Sequence, residues 1–392
     1  MGDRGAKSRP GSTAGSPPER DAFTNPEGFA YLARVPSRHP NTRLSRFERS
    51  DLQPLLQTAW DLDLLRAVER HRLLRSTHLI ALGRRSRQAT LRRLQRLFHA
   101  GYLDRPLAQL SWYARGSEPM VYALGAHGAK ALQRAEGRPR TAARWDTKNQ
   151  RLSRMFLAHT LAVSEVMVAF EVACRAAAGV RLVRLSEILG EAPEVTRELR
   201  LPFRWTVELR TRGGPLELGV QPDEVFGLRV HVDGSERPPT VYFFLEADRG
   251  TMPIGRRGLA RSSFLRKLLA YEATWSSGIY RSHFGIQNFR VLTVTTSESR
   301  VGHLVAAVRS LQAAARIFLF TTHERLREAS ILGSVWTNGR GELVGLIRDN
   351  RSLESPARQG GGAFGSGPGT ASTTPRLSSP NSASAALISA LE

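Results

Sequence analysis

Cysteine is almost absent from this chain of 392 residues, because Cys174 is the only one. A single cysteine excludes an intramolecular disulfide and a zinc site built on cysteines. Since Cys174 lies in an apolar helical run, we interpret it as a small core residue. The N-terminus lacks the apolar core of a signal peptide, and we find no apolar run of transmembrane length. These absences predict a cytoplasmic protein without a membrane partner.

Acidic residues are also scarce, with 35 Asp and Glu against 57 Lys and Arg and a formal net charge of +22. Most of the excess is arginine, whose planar guanidinium pairs with phosphate and stays charged at physiological pH. This balance favours nucleic acid as the partner. The alternatives are a charge that only aids solubility and an anionic membrane surface, although no basic amphipathic helix supports the latter.

Familiar catalytic and nucleotide-binding motifs are missing as well. The sequence has no P-loop, no dinucleotide-binding fingerprint and no convincing Ser/His/Asp arrangement. Its glycine-rich segments are typical of tails and turns. The hydrophobic fraction of 41% is nevertheless sufficient for folded cores.

Composition divides the chain into five segments. Residues 1–54 are rich in Gly, Pro, Ser and Arg, and residues 351–392 in Gly, Ser and Pro, so both predict disordered tails. Residues 137–150 predict a linker. The two predicted folded units are therefore residues 55–136 and 151–350.

The first unit is predicted to contain four helices and one hairpin. In order, these are a helix with Leu62, Leu64, Leu65 and Val68 on one face, a short helix capped by Ser76 and ending at Gly83, a helix over 87–100 capped by Ser86, a hairpin with strands at 102–104 and 120–124, and a helix over 126–136. This order is that of a winged helix-turn-helix, whose third helix lies in the major groove of DNA.

The region between Glu69 and Asp104 contains arginine and histidine but no acidic residue. A solvated face normally mixes charges of both signs, so this stretch favours DNA binding. The alternative is a winged helix used for dimerisation, with arginines that are merely exposed. The candidate DNA-binding residues near and on the third helix are Arg84, Arg85, Arg87, Gln88, Arg92, Arg93 and Arg96. The loop over 105–118 would be the wing, with Arg105 and Arg115 on the DNA backbone.

The second unit is predicted to be an α/β layer with a mixed sheet, which makes the whole chain α+β. The predicted elements are a helix over 152–178, strands at 181–185, 203–210, 216–221 and 240–247, a helix over about 257–276, a strand from Phe289, a helix over about 299–315, a strand over 316–322 and a closing hairpin at Asn338-Gly339.

Three carboxylates lie at or near the ends of predicted strands in this unit. Asp223 belongs to the run 221–226, and Glu246 and Asp248 belong to the run 242–251. Carboxylates gathered on adjacent strands predict a Mg²⁺ or Mn²⁺ site for phosphodiester chemistry, since like charges on an apolar strand repel unless a cation or proton joins them. The alternative is that Asp223 caps a turn and that Glu246 pairs with a nearby arginine.

The order of these elements, with Asp223 followed by Glu246-Ala247-Asp248, resembles the PD-(D/E)xK nuclease fold of restriction-endonuclease-like proteins. The resemblance implies that Asp223 and Glu246 bind the metal and that a lysine two positions later orients the attacking water. Asp248 occupies that lysine position here. Lys267 on the following helix is the candidate substitute, and its alternative role is a solvated or phosphate-binding base. Glu165 is a candidate further carboxylate.

The chain from about 60 to 345 is similar to the replication-relaxation family of bacterial plasmid and mobile-element proteins. The resemblance rests on the 60–124 run, on His159, on Pro222-Asp223, on 244–251, and on Lys267 with Tyr271. A histidine on an apolar helix is by itself expected to be a core residue, so His159 carries two interpretations.

This resemblance implies a role in plasmid replication, or in relaxation for mobilisation, with double-stranded DNA and replication or mobilisation proteins as partners. We expect a DNA-binding protein at the nucleoid or on a plasmid in a bacterial cytoplasm. The alternatives are a divalent-metal-dependent nuclease or nickase and a non-catalytic protein-interaction module. The sequence leaves a homodimer open.

Overall fold

The computed structural model describes residues 46–50, 55–110, 118–137, 149, 151–211, 214–231, 238–255, 263–309, 311 and 314–347. Most of the predicted N-terminal tail, nearly all of the predicted linker and the whole predicted C-terminal tail lie outside these residues. Arg115 of the predicted wing lies outside them as well.

The first part of the chain forms four helices and a three-stranded antiparallel sheet. The helices are α1 (Ala59–His71), α2 (Ser76–Leu82), α3 (Arg87–His99) and α4 (Ala126–Glu136). The strands are β1 (Leu73–Arg75), β2 (Leu103–Asp104) and β3 (Val121–Leu124), in the sheet order β1-β3-β2. The predicted helices and hairpin are confirmed. The strand β1 was missed, because three residues are too few to show an alternating pattern.

Local sequence explains where these helices begin. Thr58 and Asp61 form a capping box at the start of α1, in which each side chain binds the other residue's backbone N–H. Ser86 caps α3 as predicted, and its side chain accepts a hydrogen bond from the backbone N–H of Ala89. The expectation for Ser76 is wrong, because Ser76 is the first residue of α2 and Arg75 precedes it as the cap position.

The second part of the chain is built around a seven-stranded mixed sheet. Its helices are α5 (Arg154–Ala176), α6 (Leu185–Glu191), α7 (Glu194–Glu198), α8 (Phe264–Ser277), α9 (Ile279–Phe284), α10 (Glu298–Val308), α11 (Ala314–Ile317) and α12 (His323–Glu328). The strands of this part of the chain, of which β5 and β6 lie outside the seven-stranded sheet, are β4 (Val180–Val183), β5 (Trp205–Thr211), β6 (Gly214–Val220), β7 (Glu224–Val230), β8 (Thr240–Ala247), β9 (Arg290–Thr295), β10 (Phe318–Thr322), β11 (Trp336–Asn338) and β12 (Leu343–Val344).

The sheet order is β12-β11-β10-β9-β8-β7-β4. The strands β8, β9 and β10 are parallel to one another, and the remaining pairs are antiparallel. The expectation of an α+β chain with a mixed sheet is therefore confirmed.

The strands around Asp223 differ from the prediction. The predicted strand over 216–221 corresponds to β6, which pairs only with β5 in a separate two-stranded sheet. The strand that joins the large sheet is β7, which begins one residue after Asp223. The segments that form β6 and β7 are both rich in strand-forming residues, so the sequence does not distinguish their pairing partners. Tertiary packing does, because the β5–β6 hairpin packs one face against α8.

Helices cover both faces of the large sheet. Phe243 and Leu245 of β8 pack with Phe170 of α5, whereas Phe244 between them packs with Tyr271 of α8 on the opposite face. The same helix α5 contacts the first part of the chain, where Leu157 lies against β1 and β3. The described residues from Arg49 onward accordingly form one compact unit, and the two predicted folded units share α5.

The helix α5 also corrects the expectation that no apolar run reaches transmembrane length. By length and composition alone, its 23 residues are sufficient to cross a membrane. A buried core helix passes the same test, and Leu157, Leu161 and Phe170 of α5 are all buried within the protein.

Candidate functional site

Asp223 and Glu246 face each other at one end of the large sheet. The antiparallel register pairs Glu224 of β7 with Leu245 of β8, so the preceding Asp223 lies opposite Glu246. The Asp223 N–H donates to the Leu245 carbonyl at 2.9 Å, and its Oδ2 accepts from the backbone N–H of Ala247 at 2.8 Å. These two bonds hold the Asp223 carboxylate beside the end of β8.

Glu246 is bound by two side chains of α8. The Nζ of Lys267 lies 2.5 Å from Glu246 Oε2, and the hydroxyl of Tyr271 donates to Oε1 at 2.7 Å. Lys267 and Tyr271 are four residues apart, which places them on the same face of the helix. The structure thus brings the candidate substitute lysine to the predicted acidic residue. The partnership of Tyr271 with Glu246 was missed, and the spacing from Lys267 was its only sequence signal.

Burial dominates the electrostatics of this cluster. It raises the pKa of Glu246 to about 7, an effect that the nearby Asp223 charge strengthens and Lys267 opposes. Burial disfavours the charged form of Lys267 too, but the carboxylates of Glu246 and Asp223 outweigh it and raise the pKa of the ammonium. Burial and the Glu246 charge raise the pKa of Tyr271 well above its ordinary value. At neutral pH Lys267 is therefore charged, Tyr271 is a neutral donor, and Glu246 is close to its titration point.

His159 on α5 approaches Asp223 from the other face of the sheet. Its Nε2 donates to Asp223 Oδ1 at 3.1 Å, and its side chain is 37% exposed. The hydrogen bond to Asp223 raises the pKa of His159, against burial and the positive charges of Arg249 and Lys267. The expectation of a core histidine is wrong, because His159 is partly exposed and belongs to this cluster.

Asp248 has a separate set of partners. Arg300 of α10 binds both of its carboxylate oxygens, and the Thr295 hydroxyl donates to Oδ2 at 2.7 Å. The backbone N–H of Gly250 donates to Oδ1 at 3.1 Å. Gly250 adopts a φ of 73°, a conformation that favours glycine, which accounts for glycine in this turn. Asp248 thereby fastens the end of β8 to α10, and its catalytic and metal-binding roles stay predictions.

Asp223 and Glu246 are the residues that could hold a divalent cation. Mg²⁺ commonly binds through one or two carboxylates and keeps several waters or phosphate oxygens, so two such ligands fit it. Among the described residues, no group of three or more His, Cys, Asp or Glu is placed to hold a metal ion. Glu165, the candidate further carboxylate, lies in an ion pair with Arg75 at 3.4 Å.

A basic surface lies at the start of α3 and along its solvent face. Its exposed residues are Arg84, Arg85, Arg87, Gln88, Arg92 and Arg96. Within the described part of the chain, Arg84, Arg87, Arg92 and Arg96 have no carboxylate partner. We call Arg84, Arg85, Arg87, Gln88, Arg92 and Arg96 together the α3 basic surface.

Two of the candidate DNA-binding arginines are engaged inside the fold. Arg93 forms a bidentate ion pair with the fully buried Asp61 and donates to the Leu56 carbonyl at 2.9 Å. The guanidinium of Arg105 lies 4.0 Å from the centre of the Phe98 ring and donates to the Tyr122 hydroxyl at 3.2 Å. Their predicted DNA contacts are untested, and we assign both residues to the stability of the fold.

Comparison with known proteins assigns the chain to a protein family. A family model described as replication-relaxation matches residues 65–288, which is more than half of the chain. The matched range includes the α3 basic surface, His159, Asp223, Glu246 and Lys267. No curated protein and no solved structure matches the chain.

Proposed function

Since the chain belongs to the replication-relaxation family, with a role in plasmid or mobile-element replication or relaxation, we propose that it acts by binding duplex DNA. The α3 basic surface is the observation that carries this proposal. Its arginines project from one helix and its preceding turn, with no carboxylate among them in the sequence from 70 to 103. Guanidinium groups in such an array suit the phosphates and the guanine edges of DNA.

The order of helices and strands supports a winged-helix mode of binding. The helix α3 follows α2 after a four-residue turn and presents Arg92 and Arg96 to solvent, while Leu94 and Leu97 bury its other face. A recognition helix needs this division, because its inner face must be held rigidly while its outer face enters the major groove. In this mode of binding Gln88, exposed near the N-terminus of α3, would reach base edges.

Salt-dependent duplex binding tests this proposal. Fluorescence anisotropy with labelled duplex DNA at several salt concentrations would compare wild type with the double variant Arg92→Ala/Arg96→Ala. If each arginine neutralises one phosphate, the variant should bind more weakly and its log–log salt slope should fall in magnitude by about 2.

Arg134→Ala is the matched control, because Arg134 is an exposed arginine on α4 outside the α3 basic surface. It should leave the slope nearly unchanged. Unchanged affinity and slope in the double variant would refute the assignment of this surface. A complete absence of duplex binding at low salt would favour the protein-interaction module instead.

A divalent-metal nuclease or nickase is the second candidate, and the contact of Lys267 with Glu246 favours it. Asp223 and Glu246 face each other at a sheet end, and the Nζ of Lys267 reaches Glu246 from α8. In this proposal Asp223 and Glu246 would hold Mg²⁺ or Mn²⁺, and the bound ion would supply Lewis-acid polarisation of a phosphate. Lys267 remains charged and orients the attacking water or stabilises the developing negative charge.

Nicking of supercoiled plasmid in the presence of Mg²⁺ or Mn²⁺ tests the second candidate. Wild type should produce open circles, and Asp223→Asn and Lys267→Met should not. Glu198→Gln removes an exposed carboxylate on α7 that belongs to neither the Asp223–Glu246 cluster nor the α3 basic surface, so it should retain activity. Nicking that persists in Asp223→Asn would show that the activity does not come from this site.

A further inference from the structure

A basic cavity of about 690 Å³ lies between α1, the C-terminal end of α2 and α5. Neither Asp223 nor Glu246 lines it. Its size falls in the range of about 300–1,000 Å³ that is usual for pockets binding small molecules. Five arginines and two carboxylates line it, which leaves an excess of three positive charges: Arg66, Arg70, Arg84, Arg85 and Arg175 against Asp63 and Glu171.

The innermost charge of this cavity is the buried carboxylate of Glu171. Arg70 donates to both of its oxygens, at 3.1 and 3.2 Å, and Arg175 lies 3.6 Å from Oε2. Arg184 and His71 bind the same carboxylate at 3.0 and 2.9 Å. One carboxylate is thus shared by three guanidinium groups and an imidazole.

The positive charge around Glu171 is therefore not balanced. Burial lowers the pKa of Arg70, and repulsion from Arg184 and Arg175 adds to this effect, although Glu171 opposes it. Like charges held together in a partly desolvated place favour the binding of an added anion. Arginine is also the side chain best suited to bind phosphate oxygens in pairs.

An aromatic side chain lines the same cavity. The guanidinium of Arg85 lies 5.8 Å from the centre of the Trp60 ring. The indole Nε1 of Trp60 is buried and has no hydrogen-bond acceptor among the residues that the structure describes. A tryptophan and an arginine together offer a stacking surface for a nucleobase, since bases stack on aromatic rings and on guanidinium planes.

We propose that this cavity binds a nucleoside phosphate, with the base against Trp60 and Arg85 and the phosphate at Arg70 and Arg175. The ligand would be either a free nucleotide or a nucleotide of a single DNA strand, because both present the same groups. The lining residues come from three helices and the turn that follows α2, and they span Trp60 to Arg175 in sequence. This dispersal explains why no contiguous phosphate-binding motif marks the site.

Isothermal titration of the full chain with ATP tests the proposal, with adenosine and pyrophosphate as the separate halves of the ligand. ATP should bind more tightly than either half. Trp60→Leu and Arg175→Ala should each weaken ATP binding by about tenfold, the loss expected for one stacking contact or one charge-assisted hydrogen bond. Competition by a 5′-phosphorylated single strand at lower concentrations than ATP would identify a DNA strand as the source, and the reverse order would identify a free nucleotide.

The controls separate a built site from general charge. Arg175 also donates to the Leu82 carbonyl at 2.7 Å, so its loss can loosen the fold. Arg84→Ala is therefore a second variant, because Arg84 is exposed and lines the cavity without such a role. Both variants and wild type are compared by circular dichroism. Equal ATP binding by wild type, Trp60→Leu and Arg84→Ala would overturn the proposal, and so would an equal loss in Arg134→Ala.

The same variants distinguish this inference from duplex binding. Arg92 and Arg96 do not line the cavity, so Arg92→Ala/Arg96→Ala should lose duplex affinity and keep ATP affinity. Trp60→Leu should keep duplex affinity and lose ATP affinity. A common loss of both affinities in both variants would mean that no separate nucleotide site exists.

Discussion

Replacing Glu246 by glutamine isolates the cost of burying a carboxylate at the end of the sheet. Burial raises the pKa of Glu246 from an ordinary value of 4.5 to about 7 in the folded protein. Because the pKa of Glu246 is raised in the folded state, the contribution of Glu246 to the free energy of unfolding is fully present below pH 4.5 and is lost as the pH rises through about 7. Glutamine keeps the shape of the side chain and does not titrate. The free energy of unfolding of the variant should therefore increase relative to that of wild type as the pH rises over this range.

The magnitude follows from the two pKa values. At about 1.4 kcal/mol per pKa unit, the change from 4.5 to about 7 corresponds to a gain of about 3 kcal/mol for Glu246→Gln at neutral pH. The pairing ammonium of Lys267 is 36% exposed, so solvent screens its attraction for Glu246 and the cost of burial prevails.

Urea denaturation of both proteins between pH 4.5 and about 7 measures this difference. Subtracting one curve from the other cancels the groups that the two proteins share. Glu187→Gln is the control of opposite sign and is followed as the pH falls below 4.5. Burial disfavours the charged form of Glu187, but hydrogen bonds from Arg184 and Arg181 outweigh it and lower the pKa, so wild type should lose stability relative to this variant only on acidification. The difference measured is the unfolding free energy of Glu246→Gln minus that of wild type. A difference that stays constant, or falls with rising pH, would refute the reasoning and show that Lys267 keeps Glu246 ionised over the whole pH range measured.

Two further substitutions test contacts in the site and beneath the α3 basic surface. Asp223→Asn removes the carboxylate that raises the pKa of His159, so NMR titration should find a lower His159 pKa than in wild type; an unchanged value would contradict the pairing. Arg93→Met leaves the buried Asp61 without its guanidinium and should cost about 3 kcal/mol of unfolding free energy in urea, whereas the exposed Arg92→Met should cost little, and equal losses would contradict the assignment.

Much of the fold could be predicted because its signals are local. Ser86 and the glycine at 101 bracket α3, and the spacing of Leu94, Leu97 and Phe98 orients that helix toward the core. The strand β8 matches its prediction in both bounds, because its apolar residues form one unbroken run. The separate β5–β6 hairpin could not be predicted, since a strand's partner depends on residues far away in the chain.

The candidate site was predicted in part. Asp223 and Glu246 stand in short acidic motifs next to apolar strands. Lys267 is the candidate lysine because Asp248 occupies the position two residues after Glu246 where the PD-(D/E)xK pattern has its lysine. His159 and Tyr271 are indicated in the sequence only by the family resemblance and an apolar helical pattern, because their partners Asp223 and Glu246 lie far from them along the chain.

The sequence by itself determined most of the longer helices and strands, where the arginines gather, and which carboxylates lie near strand ends. These properties follow from spacing, capping and charge within a few residues. Tertiary structure alone decided which charges meet: it paired Lys267 with Glu246, His159 with Asp223, Arg300 with Asp248 and Arg93 with Asp61. Such pairings depend on packing between distant elements, and they determine whether an arginine or carboxylate remains available for a ligand or serves the fold.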